Sequence, residues 1–304
     1  MKLTIASAIL VVLIGCIGQG SNDAEAFTPE RAEQATLAVS ADPQFPKQDV
    51  TKRLFREAMA FAATENLESL PKGQIMVRLG ERFMGAPYLT GPLDGFEKEV
   101  VVARLDGFDC FTYVEALMAM ARGIAEGDTT WIGYMQRTEE QRYRSGRATD
   151  YCARLHYFTE WIVKNQHREL VRDVTALIGG RPYAKRIDYM STHRTAYPSL
   201  VDESTFACIQ EVEEAFNTEL DLHFIPQDRI AEAYDSLQAG DIVATVTDIA
   251  GLDVTHTGLV YLGDDGSVGL LHASTSGGVK VSPDLERYVQ GVRAQTGILV
   301  ARPR

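Results

Sequence analysis

The stretch LDGFDCFTYVEALMAMA, Leu105 to Ala121, turns from irregular to helical within a few residues and sets one cysteine at the turn. From Phe111 onward Val114, Leu117, Met118, Ala121 and Ile124 recur three and four apart, the spacing of one face of an amphipathic helix. Asp109 is the residue type that caps such a helix, because its carboxylate accepts from the unpaired N–H groups of the first turn. Cys110 then stands where those N–H groups and the helix dipole favour thiolate over thiol. The neighbouring carboxylate opposes a second negative charge. Read alone, the stretch favours a small apolar residue filling a core, so a reactive thiol needs a base from elsewhere in the chain.

Upstream, VTKRLFREAMAFAATEN (50–66) and PKGQIMVRLGERFMG (71–85) carry helical spacing, the second with Pro71 at its start and Gly85 at its end. Between Gly85 and Asp109 the chain is punctuated by Gly and Pro, with one short apolar run, Val100 to Ala103, that suits a strand. Downstream, DYCARLHYFTEWIVKNQ (150–166) and STFACIQEVEEAFNTEL (204–220) read as further helices. The last third changes character. GDIVATVTD, VTHTGLVYLG, SVGLLHAST and GGVKVS are short β-branched runs bounded by Gly, Asp and Ser, the pattern of an antiparallel meander. Helices first and a meander afterwards predict an α+β domain with helices on one side of a sheet.

Composition narrows the function. With 45% hydrophobic and 24% charged residues the 304-residue chain can bury a sizeable core. Its net charge of −12 argues against nucleic acid as a partner, since phosphate backbones are held by clustered Lys and Arg. The opening MKLTIASAILVVLIGCIGQGSNDAEAF has one lysine before an apolar run, Leu3 to Ile14, too short to anchor in a bilayer, and reads as an export signal over residues 1–26. LIGC has the form of a lipobox that would make Cys16 a lipidated first residue, while AEA at Ala24 to Ala26 fits ordinary cleavage. A lipid on Cys16 would be the sole membrane attachment. Residues 27–50 read as a tether, and 51–304 as the folded domain.

Export leaves Cys110, Cys152 and Cys208 in an oxidising compartment. Cys152 and Cys208 either pair, leaving Cys110 reduced, or lie apart as buried small apolar residues, the commoner fate of a free cysteine. Among six histidines, His256 and His272 lie in successive strands joined by GDDGS. Side chains alternate along a strand, so an odd number of loop residues would put both on one face. An odd loop is expected, which suits a triad of Cys110, His256 as base and His272 orienting the imidazole. His156 is expected in a helix with a structural role, and His167 and His223 on the surface. His193, in the polar MSTHR, is a candidate to line a substrate cleft. Five arginines, Arg137, Arg142, Arg144, Arg147 and Arg154, crowd one segment, and such a run most often forms a solvated helix face, here with Glu139, Glu140 and Asp150 as partners.

Taken in order, FMGAPYLTG, LDGFDCFTYVEA, LQAGDIVATV, THTGLVYLG and LLHAS resemble the NlpC-type papain-like cell-wall hydrolases. ARLHYFTEWI, Gly179-Gly180 and YMSTH narrow the likeness to the N-acetylmuramoyl-L-alanine amidase-like branch. The resemblance implies a papain-like α+β fold, with the nucleophile at a helix start packed on the meander and a helical insert at about 130–235. It also implies hydrolysis of a peptidoglycan or muropeptide amide through a thioester, with no metal and no cofactor. Cys110, His256 and His272 would be catalytic, and Tyr88, Asp109, Phe111 and His193 would face the substrate. Where the superfamily commonly has a small residue after the cysteine, this chain has Phe111. Other readings of the same residues are a D-glutamyl–diamino acid endopeptidase, a zinc site on Cys110, His256 and His272, and an inactive peptidoglycan-binding protein.

Overall fold

The computed structural model describes residues 48–219 and 221–304; the expected signal segment, Cys16 and the expected tether as far as residue 47 lie outside the described residues. Helix α1 (Gln48–Thr64) takes in the last residues of the expected tether, and α2 (Lys72–Arg82), α3 (Cys110–Glu126) and α4 (Trp131–Arg142) follow. Next come α5 (Phe158–His167), β1 (Val171–Asp173), β2 (Arg181–Pro182), α6 (Tyr189–Thr192), α7 (Glu203–Glu219) and β3 (His223–Pro226). The chain ends with β4 (Ile242–Thr247), β5 (Val254–Leu262), β6 (Val268–Ser274), β7 (Gly278–Ser282), α8 (Leu285–Gln290) and β8 (Gln295–Pro303). The sheet runs β2-β3-β8-β4-β5-β6-β7, with β1 also paired to β8, and its ladders are antiparallel.

Four of these strands, β4 to β7, are the expected meander. Strand β8 is not among the expected runs, yet it lies between β4 and β3 at the centre of the sheet. Its apolar GILVA, 297–301, is buried on both faces: Leu299 and Ala301 join the core under the helices, while Ile298 and Val300 join a second core on the far side. A strand buried on both faces shows no alternation, which is why it reads ambiguously in sequence. The insert also supplies β1, β2 and β3, so it is not purely helical.

Helix α3 starts where Asp109 caps it. Asp109 Oδ1 accepts from Thr112 N at 2.7 Å, and Asp109 N donates back to Thr112 Oγ1 at 3.1 Å, a reciprocal capping box. Gly127, at φ 74°, ends it in the left-handed region. The helix is not one-sided as its apolar spacing suggested; from Tyr113 to Ile124 it is buried all round. The sheet takes one side and α4 the other, where Gln141 Nε2 donates to Glu115 O at 2.6 Å and Arg137 Nε to Ala119 O at 3.0 Å. Each larger apolar side chain buried there, such as Leu117 or Met118, contributes roughly 1.5–3 kcal/mol.

Three expectations change. Val100 to Ala103 form no strand, because side chains from the insert take their carbonyls: Arg142 Nη1 bonds Val102 O and Tyr143 Oη bonds Val100 O. The expected helix over 150–166 begins only at Phe158; residues 151–153 make a single 3₁₀ turn, and His156 lies outside any helix. Cys152 and Cys208 do not lie apart as separate thiols but form a disulfide, with Cα atoms 6.3 Å apart, while Cys110 is free. The bridge ties the 3₁₀ turn to α7 across 56 residues and belongs to a third apolar cluster with Tyr157, Tyr189 and Ile209. Closing a loop of that length restricts the unfolded chain by roughly 2–4 kcal/mol. Cys208→Ser, or reduction of the wild type, is therefore expected to lower the urea-unfolding free energy by about that amount, and equal midpoints with and without reductant would contradict it.

Candidate active site

Cys110 is the first residue of α3 and is 8% exposed. Two segments hold its approach. The turn after Gly85 is clamped to β7, with Gly85 N donating to Val279 O at 2.8 Å and Val279 N to Ala86 O at 2.9 Å. The same turn runs parallel to the residues before the cysteine, Phe108 N donating to Pro87 O at 3.0 Å and Leu89 N to Phe108 O at 2.8 Å, with Tyr88 bridged to Phe108. Tyr88 is half-buried against the main core. From the sheet, Thr257 Oγ1 donates to Cys110 O at 2.8 Å, so the first turn of α3 sits on β5 one residue from His256.

The five-residue connection between Leu262 and Val268 is odd, as alternation required, and His256 and His272 share a face. His256 Nε2 and His272 Nδ1 are 2.6 Å apart, and His272 Nε2 lies 3.0 Å from Ser282 Oγ of β7. By the same alternation this is the face opposite Thr257. The β5–β6 ladder stops at Leu259↔Leu271, one pair short of His272 and three short of His256; beyond it His256 pairs with Thr245 of β4, and His272 with Lys280 of β7. Gly258 is required here, because a Cβ would come within 2.9 Å of His272 Cβ and of Leu271 O. Both imidazoles are buried, and desolvation pushes each below its ordinary range: His256 well below, with His272 and Lys280 adding to the effect, and His272 to about 3, with Lys280 adding. At neutral pH the pair is uncharged, one ring donating to the other.

Of the remaining expected site residues, Asp109 spends Oδ1 on the cap, and burial raises its carboxyl against the pull of Thr112 and Arg142. Phe111 turns to α5, with ring centroids 5.3 Å from Phe158 and 6.0 Å from Trp161. His193 is exposed after α6, stacked 3.9 Å from the Tyr189 ring, its Nδ1 3.0 Å from Tyr189 O. His167 is exposed as expected, and His223 is half-buried on β3. His156 Nε2 is 2.8 Å from Tyr151 O. Among the described residues no three His, Cys, Asp or Glu side chains are arranged to hold a metal ion, so Cys110, His256 and His272 do not form a zinc set.

The arginine run is not a solvated face. Arg137, Arg142 and Arg154 are buried, and the partners are Asp128, Glu115 and Glu99. Arg144 pairs with Glu160 at 2.6 Å, and only Arg147, largely exposed, keeps an expected partner in Glu139. The innermost pair is Arg142 Nε with Glu115 Oε2 at 2.7 Å, one turn and a half into α3. Sequence alternation could have paired Lys280 and Ser282 with His272 once the β6–β7 register was known. Thr257, Glu115 and Arg142 carried no such signal.

A family model described as N-acetylmuramoyl-L-alanine amidase-like matches residues 78–298. The chain belongs to that family. Among solved structures, a Bacteroides uniformis N-acetylmuramoyl-L-alanine amidase is 27% identical, with a TM-score of 0.71 over 77% of this chain and 99% of that one. A proposed xylanase from Bacteroides fragilis is 32% identical, with a TM-score of 0.67 over 73% and 98%. A Legionella pneumophila protein, 17% identical with a TM-score of 0.62 over 84% and 95%, shares the fold. The search of curated proteins found no match. This member of the amidase-like family thus has the mixed helix and antiparallel-sheet architecture of its solved relatives.

Two outcomes follow from the buried charges. Arg142→Met leaves the buried Glu115 carboxyl without its partner and is expected to destabilise the fold by roughly 3–5 kcal/mol, with the Arg142→Met/Glu115→Met double variant recovering much of it; equal denaturation midpoints for single and double variants would contradict this. His156 is likewise pushed down, to about 3, by desolvation and by Arg154. For a base whose folded value is depressed, stability is fully present above the unfolded value near 6.5 and is lost as pH falls toward the folded one. Urea midpoints should therefore fall from pH 6.5 toward pH 4, less steeply in His156→Gln.

Proposed function

We propose that the protein is an exported peptidoglycan amidase of papain-like type that cleaves the bond between the lactyl carboxyl of muramic acid and L-alanine, with Cys110 as nucleophile. The observation that carries this reading is the buried His256–His272 hydrogen bond one residue from the strand position that holds the Cys110 carbonyl. A neutral imidazole oriented by a second one is equipped to take a proton from a thiol. With Nε2 engaged by His272, Nδ1 of His256 is the nitrogen assigned to Cys110.

In the proposed reaction Cys110 Sγ attacks the amide carbonyl as its proton passes to His256. The N–H groups of Cys110 and Phe111, which precede the first helical bond at Tyr113 N, receive the oxyanion. His256 then gives its proton to the departing amine as the C–N bond breaks, leaving a thioester that water hydrolyses. Asp109 serves by fixing the helix start rather than by touching substrate. Tyr88, in the clamped turn, is assigned to a substrate hydrogen bond, and His193 to the outer cleft. The disulfide supports export, since such bonds persist outside the cytoplasm, and lipidation at Cys16 belongs to the same proposal.

The amidase names of solved relatives favour this bond over one within the stem peptide. A xylanase activity, the description given to another relative, finds little support in the site. Acetal hydrolysis needs a carboxylic acid and a carboxylate facing each other, whereas Asp109 is used as a cap and Glu115 is paired with Arg142.

Digestion of purified muropeptides followed by mass spectrometry tests the reading. An intact free stem peptide is expected, with Cys110→Ala lowering the rate by at least about 10³-fold. A muramyl dipeptide product would move the cut to the D-glutamyl bond, and cleavage undiminished in Cys110→Ala would remove the thiol mechanism.

A further inference from the structure

The histidine pair is covered by an aromatic ring that neither the motifs nor the family likeness singled out. Helix α8 is pinned by Leu285 and Val289, both buried in the core on the far side of the sheet, and between them Tyr288 turns to the histidines. Its ring centroid is 4.9 Å from that of His272, at 67°, and 5.6 Å from that of His256, at 46°. The imidazoles are themselves 4.7 Å apart and nearly perpendicular. The Tyr288 ring therefore lies against both partners of the 2.6 Å hydrogen bond between His256 Nε2 and His272 Nδ1.

We propose that Tyr288 is a positioning residue that seals the His256–His272 hydrogen bond from water and holds both rings in their reacting geometry. The inference rests on the catalytic reading of His256 given above. Water admitted at Nε2 or Nδ1 would compete for the bond that sets the tautomer of His256, and a ring free to rotate would lose its aim. Besides the neighbouring imidazole, the charged group acting on the rings is Lys280 of β7, with no carboxylate among the charges acting on either. Removing the ring thus acts through desolvation: each imidazole titrates closer to its ordinary range, and the base is lost to protonation at a higher pH.

The test compares Tyr288→Leu with Tyr288→Phe in the intact chain, following muropeptide cleavage across pH and the histidine ring signals by NMR. Tyr288→Leu is expected to lower kcat by about ten-fold or more with KM nearly unchanged, and to move the acid limb of kcat/KM to higher pH. Tyr288→Phe keeps the ring and is expected to retain both. A Tyr288→Leu enzyme with the wild-type rate and pH profile overturns the proposal, as does a Tyr288→Phe enzyme equally impaired, which would assign the effect to the hydroxyl. If Tyr288→Leu does not fold, Tyr288→Met takes its place. Should the wild type show no thiol-dependent cleavage, the catalytic reading fails by itself, while the NMR titration still reports the seal: His272 must titrate at higher pH in the ring-less variant, and an unmoved titration rejects it.

Discussion

The hydrogen bond from Thr257 Oγ1 to the Cys110 carbonyl joins residues 147 apart in sequence and fixes where the first turn of α3 meets the sheet. Carbonyls at a helix start normally point down the helix, so an extra donor at this one is a tertiary demand and not a requirement of the helix. Around it the remaining restraints converge on the same few residues. The capping box sets the residue at which α3 begins, the turn after Gly85 is stitched both to Phe108 and to Val279, and β5 brings His256 into place beside Thr257. Displacement of α3 by one residue would carry Cys110 about 100° round the helix axis and 1.5 Å along it, away from every one of these partners.

The insert's arginines give this frame its rigidity. In a chain of net charge −12, buried carboxylates at Glu99, Glu115 and Glu160 need guanidinium partners, and Arg154, Arg142 and Arg144 supply them. Desolvation raises Glu115 while Arg142 draws it down, so the two charges are kept by each other. Such pairs add little net stability compared with apolar packing, but a buried bidentate donor tolerates few alternative arrangements of its helices. Arg142 reaches both α3 and the carbonyl of Val102, and thereby ties α3 to the loop in front of it.

Much of the site was legible because its signals are local. The capped helix over Cys110, the four meander strands and the odd loop between the histidines follow from residue types a few positions apart. What stayed hidden depends on partners far along the chain. The run at Val100 to Ala103 has strand composition, but Arg142 and Tyr143 claim its carbonyls. Strand β8 has no alternation because both its faces are buried. A crowd of arginines looks solvated until the carboxylates opposite it are known, and Cys152 finds Cys208 only through the packing of α7.

The sequence by itself determined that a thiol stands at a capped helix start and that two histidines share a face of a sheet, since capping and alternation are properties of neighbouring backbone groups. The order of its motifs carried the family as well. Only the tertiary structure decided that the histidines bond each other, that Tyr288 lies across them, that the arginines are internal and that two cysteines pair. Those outcomes depend on desolvation and on register between distant strands, which exist only once the chain is packed.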